Sequence, residues 1–386
     1  MLDIPTKPYP KQDLISVDDH IIEPADVWTA RAPAKFKDRA PKVVVKSDGA
    51  EVWQYEGQER THGGLSALAG REFEEYTVKA FAFKDMRPGC YDARERVKDM
   101  DLDGVRVQIC FPEVPGINGE SFLRLEDPAF RDWTISAYND WLTDEFQPTA
   151  PGRLYGHGIL PLLEPEKAVA ELRRIVKRGI KSIVVCAWID AMVPGARRLV
   201  DPCYDPVWSA CEEMDVPVNM HIGGGRGVDP SVLTAGIPGL AEAFIHRAQL
   251  NNFETLGDII WTGMLERHPR LKVISTEGGI GWLPYFLEWG DHVYERHRHW
   301  AKTGLPHPPS FYFHRQCYGA FLDDPAGVKL RHTIGVDNLL WESDYPHSDT
   351  TWPFSHRKVD EQMAGVPDDE RRKITWENAA RLYKLQ

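Results

Sequence analysis

The first residues that could do chemistry lie at the end of a short apolar run near the amino terminus. A short apolar run from Leu14 to Val17, interrupted only by a serine, is followed by Asp18, Asp19 and His20, and Glu23 comes three residues later. Charge at the end of a buried strand is costly unless a ligand compensates it. Asp18 and His20 are two residues apart, so on an extended chain their side chains point to the same side. This stretch predicts one wall of a metal site.

Three further candidate ligands also end short apolar runs, and they are His221, Glu277 and Asp344. Apolar strands that alternate with helical segments indicate a parallel sheet, and eight such strands in one chain indicate a (β/α)₈ TIM barrel. In that fold the carboxyl ends of the strands meet at one face, where the chemistry takes place. We therefore expect these three side chains to meet the cluster that follows the first strand.

The elements that position these residues are predicted from apolar runs and helical spacing. Strands are predicted at 14–17, 105–112, 154–161, 180–186, 216–221, 271–277, 313–321 and 338–344. Residues 25–95 break the alternation and predict a small insertion after the first strand, placed as a cap over the barrel mouth. The chain is therefore interpreted as one domain, residues 1–386, with this insertion.

The composition limits the classes of partner that the protein is expected to bind. The formal net charge of −12 argues against nucleic acid or an anionic membrane surface, since both require a basic footprint. No apolar run approaches the roughly 20 residues that a membrane span needs. The six cysteines form no Cys-x-x-Cys pair, which favours a reducing, cytoplasmic location over a disulfide framework. The expected partner is a small-molecule substrate.

Four segments resemble the amidohydrolase-related family, the branch of the amidohydrolase superfamily that includes aminocarboxymuconate semialdehyde decarboxylase and related acid decarboxylases. They are VDDH at 17–20, NMH at 219–221, TEGG at 276–279 and ESDYPH at 342–347, and residues 374–383 resemble the family's closing helix. The resemblance covers nearly the whole chain and implies a barrel that is often homo-oligomeric. Carried over by position, it implies the metal ligands Asp18, His20, His221 and Asp344.

Two residues depart from the family pattern. Asp18 stands where the family usually has its first histidine, and Glu277 stands where a sixth-strand histidine is expected. Oxygen ligands favour iron and manganese over zinc. With Glu23, and with His246 from a helical stretch, the candidate ligands exceed what one catalytic ion uses. The sequence therefore predicts two divalent ions, iron or iron with manganese.

The same residues serve three chemistries. A small branch of the family contains dinuclear non-haem monooxygenases, and the Asp-x-His-x-x-Glu opening resembles that branch, so the first expectation is an oxygenase that hydroxylates a small organic substrate. The alternatives, with zinc or manganese, are a hydrolase or a non-oxidative decarboxylase of a small carboxylic acid. In these, Asp344 or His347 would handle the proton, and Glu277 would serve both as ligand and in catalysis. A non-catalytic barrel subunit is the most distant alternative.

Overall fold

The computed structural model describes residues 4–47, 49–61, 64–223 and 230–385. Its strands follow the apolar runs of the sequence, although several are shorter than predicted. In chain order they are β1 (Leu14–Ile21), β2 (Lys42–Val45), β3 (Glu51–Tyr55), β4 (Gln58–Thr61), β5 (Val105–Pro112), β6 (Leu154–Gly156), β7 (Ile183–Val184), β8 (Val218–His221), β9 (Val273–Thr276), β10 (Cys317–Phe321) and β11 (Leu339–Trp341).

Eight of these strands, β1 and β5 to β11, are arranged consistently with the predicted (β/α)₈ barrel. They pair in parallel in two groups, β1-β5-β6 and β7-β8-β9-β10-β11. A parallel bridge between Gly158, two residues after β6, and Ile183 of β7 links the two groups. Every residue of β1 is buried, as expected for a strand whose two faces are both covered.

The barrel closes between β11 and β1 through backbone and side-chain hydrogen bonds. The Asp344 amide donates to the Asp18 carbonyl at 2.8 Å, and the His20 amide donates to the Tyr345 carbonyl at 2.7 Å. The buried Asp19 carboxylate accepts from Ser343 Oγ at 2.5 Å and from the Tyr345 amide at 3.1 Å. Asp19 therefore ties the two strand ends together, while its neighbours Asp18 and His20 face the other side.

Helices fill the intervals between the strands. They are α1 (Ala93–Asp103), α2 (Glu120–Leu123), α3 (Pro128–Trp141), α4 (Gln147–Thr149), α5 (Pro165–Lys177), α6 (Ile189–Met192), α7 (Asp205–Met214), α8 (Leu240–Ala248), α9 (Leu250–Trp261), α10 (Met264–Arg267), α11 (Leu283–Ala301), α12 (Pro309–Gln316), α13 (Pro325–Lys329), α14 (Arg331–Ile334), α15 (Ser355–Gln362), α16 (Asp368–Arg372) and α17 (Asn378–Leu382). No helix in the described ranges is long and apolar enough to cross a membrane.

The seventh barrel strand begins later than the sequence predicts. Residues 313–316 belong to α12, and β10 begins only at Cys317. Pro309 stands at the first turn of this helix, where proline's fixed φ favours a helical start and its missing N–H costs nothing. Residues 313–316, which the sequence assigned to the strand, are therefore helical.

The strands β2, β3 and β4 form a small antiparallel sheet in the segment that follows β1. Its aromatic side chains pack on neighbouring parts of the chain. Trp53 packs edge-on against Trp28 with ring centroids 5.3 Å apart, and Tyr55 meets Phe122 of α2 at 5.7 Å. This apolar contact fixes the small sheet to the rest of the molecule.

The buried Arg96 of α1 holds the end of β1. Its guanidinium donates to the carbonyl oxygen of His20, to that of Gly89 at 3.1 Å and to Gln108 Oε1 at 3.2 Å. The position of the His20 backbone thus depends on a buried charge in a neighbouring helix.

We predict that Arg96→Met lowers the free energy of unfolding by about 3 kcal/mol, because it leaves several buried acceptors unpaired. Urea denaturation monitored by tryptophan fluorescence would measure this loss. Arg94→Met is the matched control, since Arg94 is exposed on the same helix. Equal stability of the two variants would contradict the role given to Arg96.

Candidate metal centre

The side chains that the sequence singled out come from four different strand ends. Asp18 and His20 lie on β1, and His221 is the last residue of β8. Glu277 follows β9 directly, and Asp344 comes three residues after β11. All five lie at the carboxyl face of the barrel, as the alternation of strands and helices predicts.

Four of them converge so closely that one ion could contact them all. His20 Nε2 is 3.2 Å from Asp18 Oδ1, and His221 Nε2 is 3.4 Å from Asp18 Oδ2. His221 Nε2 is also 3.0 Å from Glu277 Oε2 and 3.3 Å from His20 Nε2. Ligand atoms bound about 2.1 Å from one ion in tetrahedral to octahedral arrangements are separated by about 3.0–3.4 Å. The cluster of Asp18, His20, His221 and Glu277 therefore fits a divalent cation.

Hydrogen bonding at His221 supports this assignment. His221 Nδ1 is 2.8 Å from the carbonyl oxygen of Ile222. Because a carbonyl oxygen only accepts, Nδ1 carries the proton in the neutral ring and Nε2 turns its lone pair towards Asp18 and Glu277. Metal-binding histidines are commonly held in this way through their second nitrogen.

Asp344 adjoins this cluster through His20, with its Oδ1 3.3 Å from His20 Nε2. Among the described residues, both carboxylate oxygens of Asp18 and of Asp344 lack a hydrogen-bond partner, although both side chains are fully buried. Buried polar atoms are normally paired. Unpaired carboxylate oxygens on two neighbouring strands are the pattern that a cation would satisfy.

The local electrostatics follow from burial and crowding. Burial, and then the charges of Glu277 and Asp18, raise the pKa of Asp344 well above its usual value. Burial lowers the pKa of His20 well below that of a free imidazole. Burial also opposes charge on His221, but the Asp18 and Glu277 carboxylates outweigh it and raise the pKa of His221.

Two residues grouped with the ligands in the sequence lie outside this cluster. The buried Glu23 accepts the backbone amides of Glu113 at 3.0 Å and Val114 at 2.9 Å, so its oxygens are engaged elsewhere. Burial raises the pKa of Glu23 to about 8, although these amides oppose the shift. His246 is exposed on α8, which has no buried residue. His246 was grouped with the ligands because the sequence does not show which face of its helix points towards the barrel.

His347 lies beside the cluster, and the structure adds Glu113, which the sequence analysis missed. The His347 ring stacks on His20 with centroids 3.6 Å apart and an angle of 17°. Its Nδ1 is 3.2 Å from Asp344 Oδ1, and its Nε2 is 3.9 Å from Glu113 Oε2. The stacked rings cannot both point a lone pair at one ion, because an imidazole binds metal in its own plane. Glu113 could have been found from the sequence, because it is a carboxylate directly after the predicted second barrel strand.

A cleft of about 600 Å³ opens above the cluster. Glu277, Asp344 and His347 line its floor, and its walls are largely apolar, with Leu65, Ile117, Phe244, Ile245 and Leu250. Clefts of this size and character take small organic ligands. A metal site at the floor of such a cleft at the carboxyl face of a barrel defines the class of metal-dependent TIM-barrel enzymes.

The chain belongs to the amidohydrolase family, whose model matches residues 20–385. The family predicted from the sequence segments is thereby confirmed. The match covers all the candidate ligands except Asp18, which lies two residues before its start.

Known proteins similar to this chain include decarboxylases. A gamma-resorcylate decarboxylase of Polaromonas sp. strain JS666 is 26% identical over 323 residues, which are 78% of this chain and 90% of the relative. An amidohydrolase structure from Mycobacterium avium subsp. paratuberculosis K-10 has a TM-score of 0.75 at 22% identity and covers 97% of this chain and 100% of its own. A dihydroxybenzoic acid decarboxylase of Polaromonas sp. JS666, with bound manganese and the inhibitor 2-nitroresorcinol, has a TM-score of 0.64 at 19% identity and covers 97% of both chains.

These comparisons correct the functional prediction. The expectation of an oxygenase was wrong, because the similar proteins include several decarboxylases, which supports the decarboxylase that the sequence analysis gave as an alternative. The ligand types alone did not discriminate, since carboxylates and imidazoles also suit manganese. The expectation of a divalent metal is supported by the cluster and by the manganese in the similar structure.

We predict that His221→Ala reduces retention of manganese at least tenfold, because it removes an imidazole from the centre of the cluster. Elemental analysis after dialysis against manganese and then buffer would measure the retained metal. Manganese should also raise the melting temperature of the wild-type chain, since an ion that binds only the folded state stabilises it, and should raise that of His221→Ala less. His292→Ala, an exposed histidine on α11, is the control. Undiminished manganese in His221→Ala would contradict the assignment of the site.

Proposed function

We propose that this protein is a divalent-metal-dependent enzyme that removes carbon dioxide, without oxidation, from a small hydroxylated aromatic acid. The observation that carries the proposal is the convergence of Asp18, His20, His221 and Glu277 at the floor of an apolar cleft, with the buried Asp344 beside them. The dihydroxybenzoate decarboxylases among the similar proteins support the choice of reaction and substrate class.

The residues of the cluster would hold the ion. Asp18, His20, His221 and Glu277 supply oxygen and nitrogen donors of the kind that manganese accepts, with Asp344 adjoining through His20. When bound, a divalent ion supplies positive charge that offsets the buried carboxylates and attracts the anionic end of an acid. The apolar side chains of the cleft walls suit an aromatic ring.

Decarboxylation then needs only a proton. The bond between the ring carbon and the carboxyl carbon breaks, carbon dioxide leaves, and a proton takes its place on the ring carbon, with no net oxidation. Asp344 is suited to deliver that proton, because it lies at the cleft floor and directly adjoins the ion cluster. His347 Nδ1, 3.2 Å from Asp344 Oδ1, is placed to return a proton to it.

We predict that the manganese-loaded protein converts 2,6-dihydroxybenzoate in D₂O to resorcinol that carries one deuterium at the vacated carbon. Asp344→Asn should lower the rate of this reaction about 10³-fold, because a group that transfers the proton is lost. Mass spectrometry of the product would give both the rate and the deuterium content.

Asp337→Asn is the control for that experiment. Asp337 is exposed and lies just before β11, whereas Asp344 lies just after it. This variant should match the wild-type rate. If Asp344→Asn retains the wild-type rate as well, Asp344 is not the proton donor; if 2,6-dihydroxybenzoate and its monohydroxy and trihydroxy analogues are all inert, the proposed function fails.

A further inference from the structure

Glu113 is a buried carboxylate that takes no part in the proposed decarboxylation. It directly follows β5 and is 5% exposed. Its Oε1 accepts a hydrogen bond from Ser66 Oγ at 3.2 Å and is 3.6 Å from the guanidinium of Arg60. Its Oε2 has no hydrogen-bond partner in the described part of the chain and is 3.9 Å from His347 Nε2. The carboxylate is thus held on one side and turns its other oxygen towards His347.

The backbone of Glu113 is fixed as well. Its amide donates to Glu23 Oε1 at 3.0 Å, and the next amide, that of Val114, donates to Glu23 Oε2 at 2.9 Å. A buried carboxylate that accepts two consecutive amides holds that turn of the chain rigidly. Glu23 therefore sets the place from which the Glu113 side chain reaches His347.

His347 lies between two carboxylates. Its Nδ1 is 3.2 Å from Asp344 Oδ1, and Glu113 faces its Nε2. One face of the ring is covered by the stacked ring of His20. Neither contact is a hydrogen bond in this structure, but turning the ring over by 180° would place carbon atoms opposite both carboxylates, so the charges of Glu113 and Asp344 together favour one orientation. Without Glu113, only Asp344 would select it.

We propose that Glu113 is a positioning residue of the metal centre, acting through His347 to hold Asp344 in place beside His20. This inference rests on the proposed metal site and deepens it. Residues that orient the groups around a metal typically change its affinity or the activity by 10- to 100-fold when they are replaced. Arg60 of β4 and Ser66, both from the segment between β1 and β5, thereby contribute to the metal centre without contacting it.

Glu113→Gln tests the proposal, since it keeps the size of the side chain and removes its charge. The dissociation constant for Mn²⁺, measured from the electron paramagnetic resonance signal of the free ion, should rise about 10- to 100-fold. In a His347→Gln background the same substitution should change it less than twofold, because the residue through which Glu113 acts is already altered. This non-additivity is a result that a purely structural role would not produce.

A second variant and a control complete the design. Glu113→Asp keeps the charge but withdraws it from His347, and it should weaken Mn²⁺ binding to an intermediate degree; it carries the test if the glutamine variant does not fold. Glu171→Gln is the control, because Glu171 is buried in α5 and accepts from Asn139 and Arg174 away from the cleft. It should leave the Mn²⁺ dissociation constant unchanged.

The outcomes separate this inference from the proposed function. Wild-type affinity for Mn²⁺ in Glu113→Gln, or an equal loss in the presence and absence of His347, would overturn the positioning role while leaving decarboxylation in place. If the effects of the Glu113 and His347 substitutions on the Mn²⁺ dissociation constant are non-additive, but the protein decarboxylates none of the hydroxybenzoates, the positioning role is supported and the proposed reaction is overturned. A wild-type chain that binds no Mn²⁺ would overturn both.

Discussion

The organisation of the site follows from one constraint, which is the crowding of carboxylates and imidazoles at the carboxyl ends of four strands. Ligand atoms of Asp18, His20, His221 and Glu277 lie within 4.8 Å of one another. Two like unit charges about 4 Å apart repel by about 4 kcal/mol at an effective dielectric constant near 20. A divalent cation converts this repulsion into attraction. The barrel makes the arrangement possible, because it brings residues far apart in the sequence to one small face and encloses them.

The backbone of the cluster is strained at two residues, and the surrounding hydrogen bonds hold it in that conformation. Glu277 and Asp344 both have φ of 54°, a left-handed conformation that residues other than glycine adopt rarely. Such positions cost of the order of 1–3 kcal/mol each and persist where the surroundings hold them. Asp19 provides part of that hold, because its hydrogen bonds to Ser343 and to the Tyr345 amide flank Asp344 on both sides. Asp19 thus stabilises the backbone of the site, whereas its neighbour Asp18 is a proposed metal ligand.

Much of the site could be predicted from the sequence, since a polar residue that closes an apolar run is a local signal. His221, Glu277 and Asp344 were found in that way, and the structure brings them together with Asp18 and His20. Glu23 could not be interpreted correctly, because its partners are amides about 90 residues away. Glu113 also follows an apolar run, but its relation to His347 depends on packing between distant segments. The reaction was mistaken because the same donor atoms suit an oxygenase and a decarboxylase, and only the relatives discriminate between them.

The central claim is that the metal centre serves decarboxylation without an oxidant. The measurement that tests it most directly is the yield of carbon dioxide from hydroxybenzoic acids, with manganese-loaded protein, in sealed vessels under argon and under air with an oxygen electrode. Equal yields of carbon dioxide and decarboxylated product in both atmospheres, with no oxygen consumed, are the predicted result. Product that forms only under air, with oxygen consumed in proportion to it, would contradict the claim.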